Sequence, residues 1–270
     1  MLPASWGPLD ANISMLFTES PLVERPAAAR AAGFTAIEAW WPFGSAVPPD
    51  SEIAEFEQAV RDAGVELTGL NGYAGDMPGG DRGILSWPGR EREFAANLDL
   101  TLELGTRLGC RRFNLLYGNR QDGASAKEQD DLAQEHLAQA AAAARRVGAL
   151  IVIEPLSGAP RYPLKTADDV LAVIDRLPAA VAEDVTLLAD LYHLCVNGED
   201  VPAVISRVHA RIGHVQLADV PGRHEPGTGT AGPGGWVRQL RGLGYDRPIG
   251  LEYAPLESTL ASLATLGELQ

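Results

Sequence analysis

Ile212-Gly-His-Val-Gln-Leu-Ala-Asp-Val-Pro-Gly-Arg-His-Glu-Pro-Gly-Thr-Gly229 changes character at its midpoint. Its first half alternates apolar and polar residues, the pattern of a strand, and its second half is crowded with Pro and Gly, the pattern of a loop held close to a ligand. Side chains alternate across a strand, so His214 and Gln216 share one face. Asp219, Arg223, His224 and Glu225 follow at once on the loop that caps them. Packing alone does not call for so many polar groups at a strand end, which therefore marks the mouth of a pocket.

Working outward from this stretch, short apolar runs alternate with longer helical patterns. The expected strands are Asn12 to Phe17, Thr35 to Ala39, Val65 to Leu70, Arg112 to Tyr117, Leu150 to Ile153, Val185 to Ala189, Ile212 to Leu217 and Ile249 to Leu251. Between them lie helical patterns over Pro21 to Ala32, Asp50 to Ala63, Glu91 to Leu108, Ala126 to Val147, Thr166 to Arg176, Val201 to Val208 and Trp236 to Leu243, with a last one over Leu256 to Leu269. Several of these stop at a glycine, as helices commonly do. Eight short apolar strands alternating with helices predict parallel strands covered by helices and closed into a (β/α)8 TIM barrel, one domain over residues 1–270. The connection from Tyr73 to Arg90 exceeds the usual loop length, which points to a lid or binding loop.

Lining up the strand ends brings out the chemistry. Leu-Ile-Val-Ile stops at Glu154, Val-Thr-Leu-Leu-Ala at Asp190, His-Val at Gln216 and Ile-Gly-Leu at Glu252. In such a barrel the C-terminal strand ends converge on one mouth. Three carboxylates brought together without a counter-charge repel, whereas a divalent cation neutralises them. An oxygen-rich set with no Cys favours a hard ion, Mg2+ or Mn2+ with Co2+ as a substitute, over Zn2+. His193 and Arg223 are substrate-contact candidates, the latter because a guanidinium offers a planar fork to a carboxylate. Asn71 at the end of the third strand and the aromatic Trp41 complete the candidate substrate contacts.

Each residue also has a plainer reading. A lone carboxylate at a strand end is ordinarily a helix N-cap or a solvated loop residue. Arg223 has Asp219 and Glu225 close by in sequence as ordinary ion-pair partners. His214 fits a hydrogen-bonded core histidine, and His136 and His209 fall in helical patterns as structural or exposed residues. The four strand ends taken together outweigh these readings.

Composition narrows the function classes. The 270 residues are 46% hydrophobic and 21% charged, the make-up of a globular protein with a sizeable core. A formal net charge of -14 repels phosphate backbones and anionic membrane surfaces, so an anionic substrate needs a local positive site and nucleic acid is disfavoured. No leader-like segment and no membrane-length apolar run is present, which predicts a cytoplasmic protein. Cys110 and Cys195 lack metal or redox spacing and are expected as free thiols. Oligomeric state is left open, a homo-oligomer included.

The chain resembles the hydroxypyruvate isomerase family of the xylose-isomerase-like barrels. The resemblance is carried by Gln216-Leu-Ala-Asp-Val-Pro-Gly-Arg-His-Glu-Pro-Gly-Thr-Gly229 and Asn12-Ile-Ser-Met-Leu-Phe-Thr-Glu19. Ala32-Gly-Phe-Thr-Ala-Ile-Glu38 with its aromatic pair, Gly75-Asp76, Arg82-Gly-Ile, Pro88-Gly-Arg90, Ile153-Glu-Pro155, Asp190-Leu-Tyr-His193 and Leu251-Glu-Tyr253 extend it over nearly the whole chain. It implies metal ligands at Glu154, Asp190, Gln216 and Glu252, with Glu154 and Glu252 as the proton-transfer pair. The implied reaction interconverts hydroxypyruvate and tartronate semialdehyde through an enediolate. Leu156-Ser157 stands where the family carries Asn after Glu-Pro, and the segment Gly158 to Pro163 also departs from its pattern. The substrate alternatives are therefore 2-oxo-tetronate or a longer ketose taken by a 3-epimerase. An inosose lyase, an AP-endonuclease-like hydrolase and a non-catalytic metal-stabilised barrel are the remaining readings.

Overall fold

The computed structural model describes residues 2–266 as eight parallel strands closed into a barrel in the order β1 to β8. The strands are β1 Leu9–Asn12, β2 Ala36–Ala39, β3 Glu66–Asn71, β4 Arg112–Asn114, β5 Leu150–Ile153, β6 Val185–Asp190, β7 Ile212–Leu217 and β8 Ile249–Leu251. Helices α1 Arg25–Ala31, α2 Asp50–Ala63, α3 Glu91–Arg107, α4 Ala126–Arg146 and α5 Ala167–Asp175 cover the first half of the barrel. The short α6 Ala179–Ala182 and α7 Leu191–Val196, then α8 Val201–Val208, α9 Pro233–Gly242 and α10 Thr259–Leu266, cover the rest.

The helices form where local sequence and packing agree. The α4 N-terminus is closed by a capping box in which Ser125 accepts from the Glu128 amide and Glu128 returns to the Ser125 amide. Thr166 and Asp169 do the same for α5. The buried side of α4 carries Leu137 among Ala133, Ala140, Ala141 and Ala144, and the alanines let a long helix lie close against the strands. Among the described residues no helix is long and apolar enough to cross a membrane.

Two strands differ most from the sequence expectation. The first strand is Leu9–Asn12, not Asn12 to Phe17: Asp10 and Asn12 are buried inside the barrel, so the strand does not look apolar, while Ile13, Leu16 and Phe17 are buried from a turn. Strand pairing in β4 stops at Asn114 although Leu115, Leu116 and Tyr117 are buried beyond it. His193 lies in the first turn of the short α7, which follows β6 directly. The last helix, expected to reach Leu269, is described to Leu266, and its final residues lie outside the described ones.

Register fixes the site. Asn12 pairs with Glu38 across β1 and β2, Asp190 with Gln216 across β6 and β7, and Gln216 with Gly250 across β7 and β8. Glu154 and Glu252 stand one residue past β5 and β8. All four strand-end residues found in the sequence therefore stand at the C-terminal end of the barrel, around one mouth.

Candidate active site

Glu154, Asp190, Gln216 and Glu252 are all buried. Glu154 accepts a hydrogen bond of 2.6 Å from Asn114 Nδ2. Glu252 accepts from Asn12 Nδ2 at 2.8 Å and from Trp40 Nε1 at 3.3 Å. Asp190 caps α7, taking the Tyr192 amide at 2.9 Å on one oxygen. Its other oxygen lies 3.4 Å from His193 Nε2 and 3.0 Å from Arg223 Nη2. Arg223 Nη2 also meets Glu252 at 2.5 Å, so one guanidinium nitrogen bridges two of the carboxylates.

Electrostatics follow from this crowding. Burial, then the charges of Glu252 and Asp190, hold the Glu154 carboxyl well above the usual carboxylate range. Burial pushes Glu252 up to about 8 in spite of Arg223. Burial works against the Arg223 charge as well, but Glu252, Asp190 and Glu154 outweigh it and raise its pKa. His193 is pushed down to about 4 by burial, against the pull of Asp190. Its Nδ1 accepts from the Ser157 amide at 3.1 Å, so the neutral ring carries its proton on Nε2, facing Asp190.

The donor set fits a hard divalent cation. Ligand atoms of Glu154, Asp190 and His193 lie within 4.8 Å of one another. Gln216 adds an oxygen: its Nε2 donates to Glu38 Oε1 at 2.8 Å, while its buried Oε1 has no hydrogen-bond partner. An orphaned acceptor in a buried site is costly, and a cation satisfies it. Beneath this mouth lies a second buried cluster of Asp10, Glu38 and His214. His214 Nε2 meets Glu38 Oε2 at 2.5 Å and Thr68 donates to Asp10 Oδ2 at 2.7 Å, while Asp10 Oδ1 has no hydrogen-bond partner.

The stretch that opened the sequence divides its labour. Asp219 faces its own loop, where its carboxylate accepts the amides of Val220, Gly227 and Ala231. Glu225 accepts the Leu256 amide, and the Arg223 carbonyl accepts the Ala254 amide at 2.8 Å, fastening the loop to the segment after β8. Thus fastened, Arg223 adopts a φ of 59° and lies over the Tyr192 ring. Beside the carboxylates opens a cleft of about 730 Å³ lined by Trp40, Trp41, Asn71, Tyr73 and Arg82 among others. Trp41 Nε1 is tied to the Ser45 carbonyl at 2.8 Å.

Comparison with known proteins places this chain in a family. Residues 26–269 match the model of the xylose isomerase-like TIM barrel. The chain belongs to that family. A putative hydroxypyruvate isomerase of Streptomyces coelicolor is 51% identical over 251 residues, covering 91% of this chain and 90% of that protein. A 2-oxo-tetronate isomerase of Cupriavidus necator is 34% identical, covering 95% and 96%. Among solved structures, an AP endonuclease of family 2 from Brucella melitensis superposes with a TM-score of 0.88 at 27% identity, over 98% of this chain and 99% of that one. Like its isomerase relatives, this xylose isomerase-like barrel is an enzyme of the aldose–ketose isomerase kind.

Within that family frame the structure brings together Glu154, Asp190, Gln216, Glu252, His193 and Arg223, and sets Asn71 and Trp41 in the adjoining cleft. His214 is a hydrogen-bonded core histidine as expected, and His136 is buried, bonded to the Leu85 carbonyl and stacked on Phe94. His209 is exposed, and both cysteines are free thiols. Sequence reasoning passed over Asn12, Glu38, Asn114 and Trp40. Three of them stand in or just after strands as polar residues in apolar surroundings, and the run Ala36-Ile-Glu-Ala39 carries the clearest such signal.

Proposed function

We propose that this enzyme interconverts hydroxypyruvate and tartronate semialdehyde in the cytoplasm, assisted by Mg2+ or Mn2+ held by Glu154, Asp190, Gln216 and Glu252. The observation that carries the reading is the meeting of three buried carboxylates with the unpartnered Gln216 Oε1 at the ends of β5 to β8. A bound divalent ion supplies positive charge against the negative charge that develops on the substrate oxygens. Glu154 and Glu252 do the proton work. One carboxylate removes a proton from C3 of hydroxypyruvate, a glutamate returns a proton to C2, and the hydroxyl proton passes from O3 to O2, completing the exchange of carbonyl and hydroxyl. Asn114 orients Glu154, while Asn12 and Trp40 orient Glu252. Arg223 and His193 hold the substrate carboxylate or hydroxyl, and Trp41 with Asn71 and the segment from Tyr73 to Arg90 walls the substrate from water.

A second reading, 2-oxo-tetronate isomerisation, is favoured by the roughly 730 Å³ cleft, which has room for more than a three-carbon acid, and by the Cupriavidus necator relative. A 3-epimerase of longer ketoses needs the same pair of glutamates. The test is a panel of hydroxypyruvate, 2-oxo-tetronate and C5 to C6 ketoses, each with Mg2+, Mn2+ or Co2+. Highest kcat/KM for hydroxypyruvate supports the first reading, for the four-carbon acid the second. Turnover of neutral ketoses alone overturns both.

A further inference from the structure

We propose that Glu38, buried in β2, is a positioning residue that fixes the amide of Gln216 so that its oxygen faces the cation. The inference rests on the ligand set proposed above. Gln216 has two amide orientations of nearly equal shape, one offering oxygen to the site and the other offering NH2, which repels a cation. What selects between them is the partner on the other side. Glu38 Oε1 accepts from Gln216 Nε2 at 2.8 Å, and a carboxylate only accepts, so the NH2 is held inward and Oε1 is turned out. The same Glu38 oxygen accepts from Asn12 Nδ2 at 2.9 Å, and Asn12 donates in turn to Glu252 Oε2 at 2.8 Å. One carboxylate thereby sets two proposed ligands from behind. Its own orientation is fixed by His214 on Oε2.

The barrel is shaped around this side chain. A Cβ on Gly250 of β8 would stand 2.6 Å from Glu38 Oε1, and one on Gly69 of β3 would stand 3.2 Å from Oε2. The slot that admits Glu38 therefore needs the absence of a side chain on Gly250, a strand residue with no turn to make. Groups behind first ligands commonly change metal affinity by about 10- to 100-fold when removed.

The experiment measures Mn2+ affinity by the electron paramagnetic resonance signal of free Mn2+, on the intact protein without substrate. Wild type is compared with Gln216→Ala, Glu38→Ala, the double variant and Glu38→Gln, the thermal midpoint being followed in each. Glu38→Ala is expected to weaken Mn2+ binding about tenfold or more. In the Gln216→Ala background the same change should cost less than about threefold, since the amide it orients is gone. Glu38→Gln keeps an oxygen for both amides if its NH2 turns toward His214, whose other tautomer accepts there, so affinity should largely return. Loss of the same size in both backgrounds means that Glu38 acts through its charge alone and overturns the proposal. Wild-type affinity in Glu38→Ala, with Gln216→Ala weakened, overturns it while leaving the ligand set standing. Wild-type affinity in Gln216→Ala overturns the ligand set and the proposal together. Should Glu38→Ala not fold, Gly250→Ala carries the comparison, because its Cβ displaces the carboxylate while Glu38 and every proposed ligand keep their own side chains. A tenfold loss there supports positioning, and unchanged affinity overturns it.

Discussion

The two halves of the barrel mouth are built from different materials. The ends of β5 to β8 present Glu154, Asp190, Gln216 and Glu252, all buried and three of them acidic. The ends of β1 to β3 present Asn12, Trp40, Trp41 and Asn71 to the mouth, neutral groups that orient Glu252 or line the cleft, with the carboxylate of Glu38 in β2 buried behind them against Gln216 and His214. Taking one isolated ion out of water costs several kcal/mol, so the acidic half demands a counter-charge, while the neutral half demands only shape and hydrogen bonds. Under the proposed function the first side would carry the chemistry and the second chiefly the substrate fit, and each substitution below tests that division.

The largest effect belongs to the acidic half. Chelation by EDTA is expected to reduce turnover to background, and Mn2+ or Mg2+ to restore it, because three carboxylates sharing one mouth need a cation. Full turnover by metal-free protein would refute the cation site and leave Arg223 as the counter-charge.

Next come the glutamates. Glu154→Gln and Glu252→Gln keep size and one coordinating oxygen but accept no proton at neutral pH. At saturating Mn2+ and substrate, at least one should lower kcat by on the order of a hundredfold, with exchange of substrate hydrogen into deuterated solvent falling in parallel. Most of the turnover retained in both variants sinks the two-glutamate mechanism without touching the metal.

The acidic half was also the legible half of the sequence. β5, β6 and β8 each announce themselves as an apolar run that stops at a carboxylate, β7 as an alternating strand that carries Gln216 near its end, and the structure gathers those residues at one end of the barrel. β1 was misplaced because its inward face carries Asp10 and Asn12, partnered by residues distant in sequence. Glu38 was quoted but given no role, since its bond to Gln216 spans 178 positions and exists only because the barrel closes. Periodicity reports which face a residue takes. It does not report which residue meets it there.

Arg223, on the loop after β7, is the positive partner within the acidic half, and its substitution is smaller in effect. Losing a charge-assisted bond to a substrate carboxylate costs about 1.5–3 kcal/mol, so Arg223→Ala should raise KM for an acidic substrate by roughly tenfold or more. A neutral ketose should be affected far less. Equal increases for both would reassign Arg223 to holding Asp190 and Glu252 in place, a role its two bonds already perform.

The smallest effect is expected in the neutral half, and it tests whether that half acts on fit alone. Trp41→Phe keeps the apolar wall of the cleft but removes the 2.8 Å bond from the indole to the Ser45 carbonyl, which ties down the segment from Trp41 to Ser45. A neutral hydrogen bond contributes about 0.5–1.5 kcal/mol net, so kcat/KM for hydroxypyruvate should fall by roughly two- to tenfold. The fall should sit in KM, because a looser wall binds substrate less well while the carboxylates across the mouth keep their geometry. Mn2+ affinity should not change, as no bond to a proposed ligand is lost. A fall in kcat at saturating substrate, or weaker Mn2+ binding, would mean that Trp41 acts on the carboxylates through its neighbour Trp40, whose indole reaches Glu252. The neutral half would then share in the chemistry rather than only shape the cleft.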